Sequence, residues 1–228
     1  MSAVAKRESA GRRRERAAEI VALLAREYPR AHIMLTFESD FQLLVAVILS
    51  AQTTDITVNK VTPALFAAFP TANALAAASV EEVEALVKPT GFYHNKAANI
   101  MKAAQRIVAE FDGVVPDAME GLTSLPGVAR KTANIVLYNA FGKAEGVAVD
   151  THVKRLSQRL GFSAQTDPEK IERDLAALFP AEEWGTLTYR LIDHGRAICD
   201  AKRPVCGACV VSELCPGAFD VKGWRESV

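Results

Sequence analysis

The chain has 228 residues, half of them apolar, and 27 Lys+Arg balance 27 Asp+Glu. That length and apolar content suit one large core or two smaller ones, and exclude a chain too polar to bury one. The even charge counts against a uniformly basic nucleic-acid-binding domain but permits a local basic face, and no stretch approaches the roughly 18–20 apolar residues of a membrane span.

At the N-terminus, Lys6, Arg7, Arg12, Arg13, Arg14 and Arg16 are not followed by the apolar segment of a signal peptide. The expectation is a soluble, cytoplasmic monomer with a solvated, disordered basic tail. Ala17, Ile20, Val21 and Leu24 then share one helical face, and that helix should stop before Pro29. Phe41 to Ala51 is an apolar run long enough for a buried helix. Thr62 before Pro63 reads as an N-cap with proline at the first helical position. Ser79 and Glu82 have the spacing of a capping box. Asn95 to Glu110 reads as a helix ended by Phe111-Asp112-Gly113, Asp167-Pro168 opens another, and a last runs from about Trp184 to Ile198. Val147-Ala148-Val149 is too short for a sheet. The fold class is all-α, with many short helices and tight turns.

Two stretches between these helices carry chemistry. In Leu125-Pro126-Gly127-Val128-Ala129-Arg130-Lys131-Thr132-Ala133, proline and glycine mark a tight turn that delivers the chain into a helix. The first amides of such a helix form an anion site suited to a DNA phosphate. The positive helix end and neighbouring Arg130 favour an uncharged amine on Lys131, which makes it a candidate nucleophile. Taken alone, an ordinary surface lysine is the commoner outcome. Asp150, in Val149-Asp150-Thr151-His152, reads as the N-cap of a helix ending near Gly161. A carboxylate beside an activated amine is also the pair that substitution at a sugar C1′ requires.

The four cysteines, Cys199, Cys206, Cys209 and Cys215, lie in one short stretch. A disulfide framework would suit a small secreted chain, which this is not, so the cluster points to a metal centre. Only Cys206 and Cys209 form a CxxC pair, and on spacing alone zinc and a [4Fe–4S] cluster are evenly matched. Lys202 and Arg203 sit inside this loop, where a metal could present them to a phosphate backbone.

Together these stretches resemble endonuclease III, of the helix-hairpin-helix DNA glycosylase superfamily. The likeness runs from about Ile33 to Cys215 and includes Ser50-Ala51-Gln52-Thr53-Thr54-Asp55, Gly91-Phe92-Tyr93-His94-Asn95-Lys96-Ala97 and His194-Gly195-Arg196. The resemblance implies two helical domains with a DNA cleft between them. One is a six-helix barrel over residues 33–143 that holds the hairpin; the other, residues 1–32 with 144–228, holds the cysteines. It implies a [4Fe–4S] cluster on Cys199, Cys206, Cys209 and Cys215, bracing the loop of Lys202 and Arg203. It further implies a bifunctional DNA glycosylase and abasic-site lyase of base excision repair, with Lys131 as nucleophile and Asp150 as its carboxylate. Its substrates would be oxidised pyrimidines such as thymine glycol in double-stranded DNA. DNA contacts are implied for Gln52 and Phe92, at the gap-filling and wedge positions, and for Gly127, Ala129, Arg130, Thr151, His152, Lys202 and Arg203.

Two positions depart from the family pattern. Ala129 stands where a second hairpin glycine is usual, which would be unfavourable if that position needs a positive φ or close backbone approach. Phe92 stands where leucine is commoner. The competing readings are a monofunctional mismatch glycosylase, a non-catalytic helix-hairpin-helix DNA-binding protein and a single-cluster electron carrier. Lys131 argues against the first and its pairing with Asp150 against the second. The hairpin has no purpose in the third.

Overall fold

The computed structural model describes residues 8–227, which fold into two compact units. One combines the segment ending at His32 with that beginning at Gly146; the other is Ile33–Glu145. We call them the terminal and the inner unit. Among the described residues there is no strand, and no helix is long and apolar enough to cross a membrane.

Helix α1 (Ala10–Glu27) starts at Ser9, whose hydroxyl accepts the Arg12 N–H at 3.2 Å. Ala17, Ile20, Val21 and Leu24 are its buried stripe, and the helix stops at Glu27, before Pro29. Two members of the basic run do not stay solvated: a guanidinium N–H of Arg13 donates to Phe162 O. Arg16 donates to Leu160 O at 2.7 Å and to Leu214 O at 3.2 Å, and pairs with Glu8 at 2.8 Å. Their i, i+3 spacing puts both on the face that meets a turn whose carbonyls need donors. The expectation of a disordered tail is thereby corrected for these residues; Lys6 and Arg7 lie outside the described ones.

The inner unit is built around α2 (Asp40–Leu49), in which Phe41 and every residue from Leu43 to Leu49 are buried. A helix apolar all round belongs at the centre of a bundle. Helices α3 (Asp55–Ala68), α4 (Ala72–Ala76) and α5 (Val80–Val87) are capped by Thr54, Thr71 and Ser79, and Ser79 with Glu82 completes the capping box. Thr62 is not a cap. It is buried within α3, and Pro63 lies in the helix interior. Thr54 supplies a cap earlier in the chain, and burial of Val58, Val61 and Leu65 on either side offsets the hydrogen bond that proline removes. Helix α6 (Tyr93–Glu110) packs on α4 and α5, and turns out through Phe111, Asp112 and Gly113. Helices α7 (Met119–Ser124) and α8 (Arg130–Phe141) complete the unit, with α8 against α2.

In the terminal unit, α9 (Thr151–Arg159) is capped by Asp150 and α10 (Pro168–Leu178) by Asp167, with proline at its first position. Helix α11 (Ala181–Ala197) follows Pro180 and packs against α1 and α9. The core here is separate: Ile20 and Leu24 of α1 join Val153, Leu156, Phe162, Leu175 and Leu191.

Candidate functional site

The hairpin lies between α7 and α8. Leu125 and Val128 are buried anchors, and the Val128 N–H donates to Leu125 O at 3.1 Å, closing the turn. Gly127 has φ +80, and a Cβ there would come within 3.0 Å of the Asn99 side chain, so both conformation and space call for glycine. Gly127→Ala is expected to cost about 1–2 kcal/mol, seen as a lower thermal midpoint. Ala129 is the N-cap of α8 with φ −89 and ψ 169, an extended backbone open to any residue. The feared strain at the missing second glycine is therefore absent. Because alanine has no side-chain acceptor, the N-cap residue places no side-chain oxygen over the start of α8, the end of a helix that suits an anion. Lys131, the second residue of α8, is exposed, as are Ala129 and Arg130.

In the terminal unit, Asp150 Oδ1 accepts the Val153 N–H at 2.8 Å, as an N-cap should. Thr151 is exposed and His152 half-buried. Burial holds the His152 imidazole below its usual range, with Arg155 and Arg196 adding to the effect and the Asp150 charge opposing it. Arg155 is the link that sequence reading missed. Its Nη2 lies 3.1 Å from His152 Nδ1 and donates to Gly195 O at 3.0 Å, while Nε donates to Cys199 O at 3.2 Å. A Cβ on Gly195 would come within 2.9 Å of both Arg155 Nη2 and His152 Nδ1. That crowding is the physical reason for glycine in His194-Gly195-Arg196.

All four cysteines are free thiols, and all line one cavity together with Leu160, Val205 and Val211. Burial pushes the Cys209 thiol up, and that of Cys215 to about 12. Thiolates in such surroundings need a cationic centre beside them. A shared, largely apolar cavity walled by four sulfurs fits a thiolate-bound metal centre. Arg159, also missed in the sequence, secures the loop: Nη1 is 3.3 Å from Cys199 Sγ and donates to Asp200 O at 2.7 Å, and Nη2 donates to Ala201 O at 2.8 Å. Asp200 Oδ1 accepts the Lys202 and Arg203 N–H groups at 2.8 and 2.9 Å, and both basic side chains are exposed. Arg155 and Arg159 are one helical turn apart, so one face of α9 carries both clamps.

Gln52 and Phe92 belong to the inner unit, on turns before α3 and α6. Both are exposed and both are left-handed, with φ 54 and φ 47. Such backbone costs a non-glycine residue about 1–3 kcal/mol and gathers at functional sites. Phe92 leaves 67% of its surface in water, an unusual placement for a ring of that size.

Residues 45–181 match the HhH-GPD superfamily of base excision DNA repair proteins, and the chain belongs to that superfamily. It is 56% identical over 206 residues to the endonuclease III of Synechocystis sp., covering 90% of this chain and 94% of that protein. It is 41% identical over 197 residues to the endonuclease III of Escherichia coli, covering 86% and 93%. A solved non-covalent endonuclease III–DNA complex superposes with a TM-score of 0.86 at 40% identity, covering 91% of this chain and 97% of that one.

Proposed function

We propose that the protein is a bifunctional DNA glycosylase and abasic-site lyase that removes oxidised pyrimidines, such as thymine glycol, from double-stranded DNA. The observation that carries this reading is Lys131, an exposed primary amine in the first turn of a helix whose N-cap residue, Ala129, offers its amides no side-chain acceptor. A phosphate bound at those amides sets the amine beside the nucleotide to be cut.

The chemistry follows from the residue types. The damaged nucleotide leaves the stack, and Gln52 and Phe92 fill the space behind it. The Lys131 amine attacks C1′ as the bond to the base breaks, and the base departs with a proton. The amine and opened sugar form a Schiff base. Loss of a proton from C2′ then expels the 3′ phosphate by β-elimination, and water releases the enzyme. The Asp150 carboxylate stabilises positive charge on the sugar and assists proton transfer. Gly127, Ala129, Arg130, Thr151, His152, Lys202 and Arg203 bind the backbone around the lesion.

Cys199, Cys206, Cys209 and Cys215 would hold a [4Fe–4S] cluster. Bound there, it supplies a rigid, cationic centre that braces the loop of Lys202 and Arg203. The test of the function is chemical trapping. Borohydride added to the protein with duplex DNA carrying thymine glycol or an abasic site should yield a covalent protein–DNA adduct. Base release without any adduct on either substrate would instead mark a monofunctional glycosylase.

A further inference from the structure

Gln52 and Phe92 sit on separate turns, yet one buried side chain reaches both. Lys96, in the first turn of α6, is 5% exposed. Its ammonium donates to Thr53 Oγ1 at 2.5 Å and to Thr90 O at 2.8 Å. The Thr53 hydroxyl in turn donates to the same Thr90 O at 2.5 Å, so the three groups close a triangle. Thr53 follows Gln52 directly, and Thr90 precedes Gly91 and Phe92. The Lys96 N–H also donates to Phe92 O at 3.1 Å. On its far side Thr90 is anchored, its hydroxyl donating to Val87 O at 2.7 Å at the end of α5.

Filling this space with lysine is unfavourable in two ways. A cation near the positive end of a helix is repelled by the dipole. Burial also costs it hydration, and it draws the ammonium below the usual lysine range. An apolar side chain would pack there without either penalty, but could not join the two turns. Each turn in isolation would relax: Gln52 and Phe92 are left-handed non-glycine residues, and Gly91 between Thr90 and Phe92 has φ 67 and ψ 159, a conformation for glycine alone.

We infer that Lys96 is a positioning residue that locks the turns of Gln52 and Phe92 into one rigid, two-pronged element whose tips enter the DNA duplex together. It touches neither substrate nor reacting atoms. The part played by the prongs in DNA rests on the function proposed above; the lock itself does not.

Two measurements on the full chain separate these. The first needs no DNA. Hydrogen exchange is followed at the Thr53 and Gly91 amides, which are bonded to Ser50 O and Lys88 O. In Lys96→Met both should exchange about tenfold faster or more, while amides within α2 are unchanged. A change confined to one turn, or to neither, would overturn the lock. If Lys96→Met does not fold, Thr53→Val removes the bridging hydroxyl at similar volume, and Thr53→Ser should restore it. The second measurement is a double-mutant cycle of Gln52→Ala and Phe92→Ala for affinity to an abasic duplex. The two should be coupled about fivefold in the wild type and additive with Lys96→Met. Coupling that persists without Lys96 would sink the joint-entry claim. Wild-type protein blind to abasic DNA would instead sink the functional reading, with the exchange result still deciding the lock.

Discussion

Lys131→Ala should leave a folded protein that binds abasic DNA but no longer cleaves it, with single-turnover strand scission down on the order of a thousandfold or more. Lys131 is exposed in a helix and anchors no core contact, so its truncation should change stability by only about 0.5 kcal/mol. The companion variant addresses the plain alternative for Asp150, that it only caps α9. Asp150→Asn keeps an oxygen to accept the Val153 N–H and so keeps the cap. It removes the carboxylate charge. Base release should fall on the order of a hundredfold while the thermal midpoint hardly moves. An Asp150→Asn enzyme as active as the wild type would reduce Asp150 to a helix cap. Cleavage undiminished in Lys131→Ala would transfer the nucleophile elsewhere.

The second large effect concerns the cysteine loop. Isolated protein should contain iron and sulfide, not zinc, and show the visible absorbance of an iron–sulfur chromophore. Cys206→Ser, at the cysteine whose residue as a whole is least exposed, should lose that absorbance. It should also weaken binding to undamaged duplex in a particular way. Lys202 and Arg203 are presented by backbone held through Asp200 and Arg159, and Arg159 reaches Cys199 itself. Without the centre both cations lose their placement, so the slope of log affinity against log salt should shrink by about 2, near one per lost phosphate contact. An unchanged slope would mean that the loop does not bind DNA. Zinc in place of iron would overturn the cluster while leaving the bracing role intact.

Much of the fold was readable without coordinates, and the reason is range. Ser79, Asp150 and Asp167 cap their helices by accepting an N–H three residues on. The buried stripe of α1 repeats on the helical period. Such interactions are settled within one or two turns of chain, so spacing exposes them. Thr62-Pro63 shows where local logic fails. The dipeptide carries a start signal, but Thr54 had already begun the helix and apolar packing carried it through the proline. The basic run failed in the same manner, because the acceptors that order Arg13 and Arg16 lie far along the chain, at Phe162, Leu160 and Leu214.

The candidate site divides on the same line. The sequence by itself determined the residue types and their local frames. It put a lysine at the head of a helix behind a glycine turn, a carboxylate at a cap and four thiols in one loop. Tertiary structure decided what each is allowed to do. It made Ala129 an unstrained N-cap and showed that Gly127 must clear Asn99. It tied Asp150's helix to Cys199 through Arg155, and the turns of Gln52 and Phe92 to each other through Lys96. Backbone torsions at single residues and hydrogen bonds between distant segments depend on what packs around them, and that information lies in no local stretch of chain.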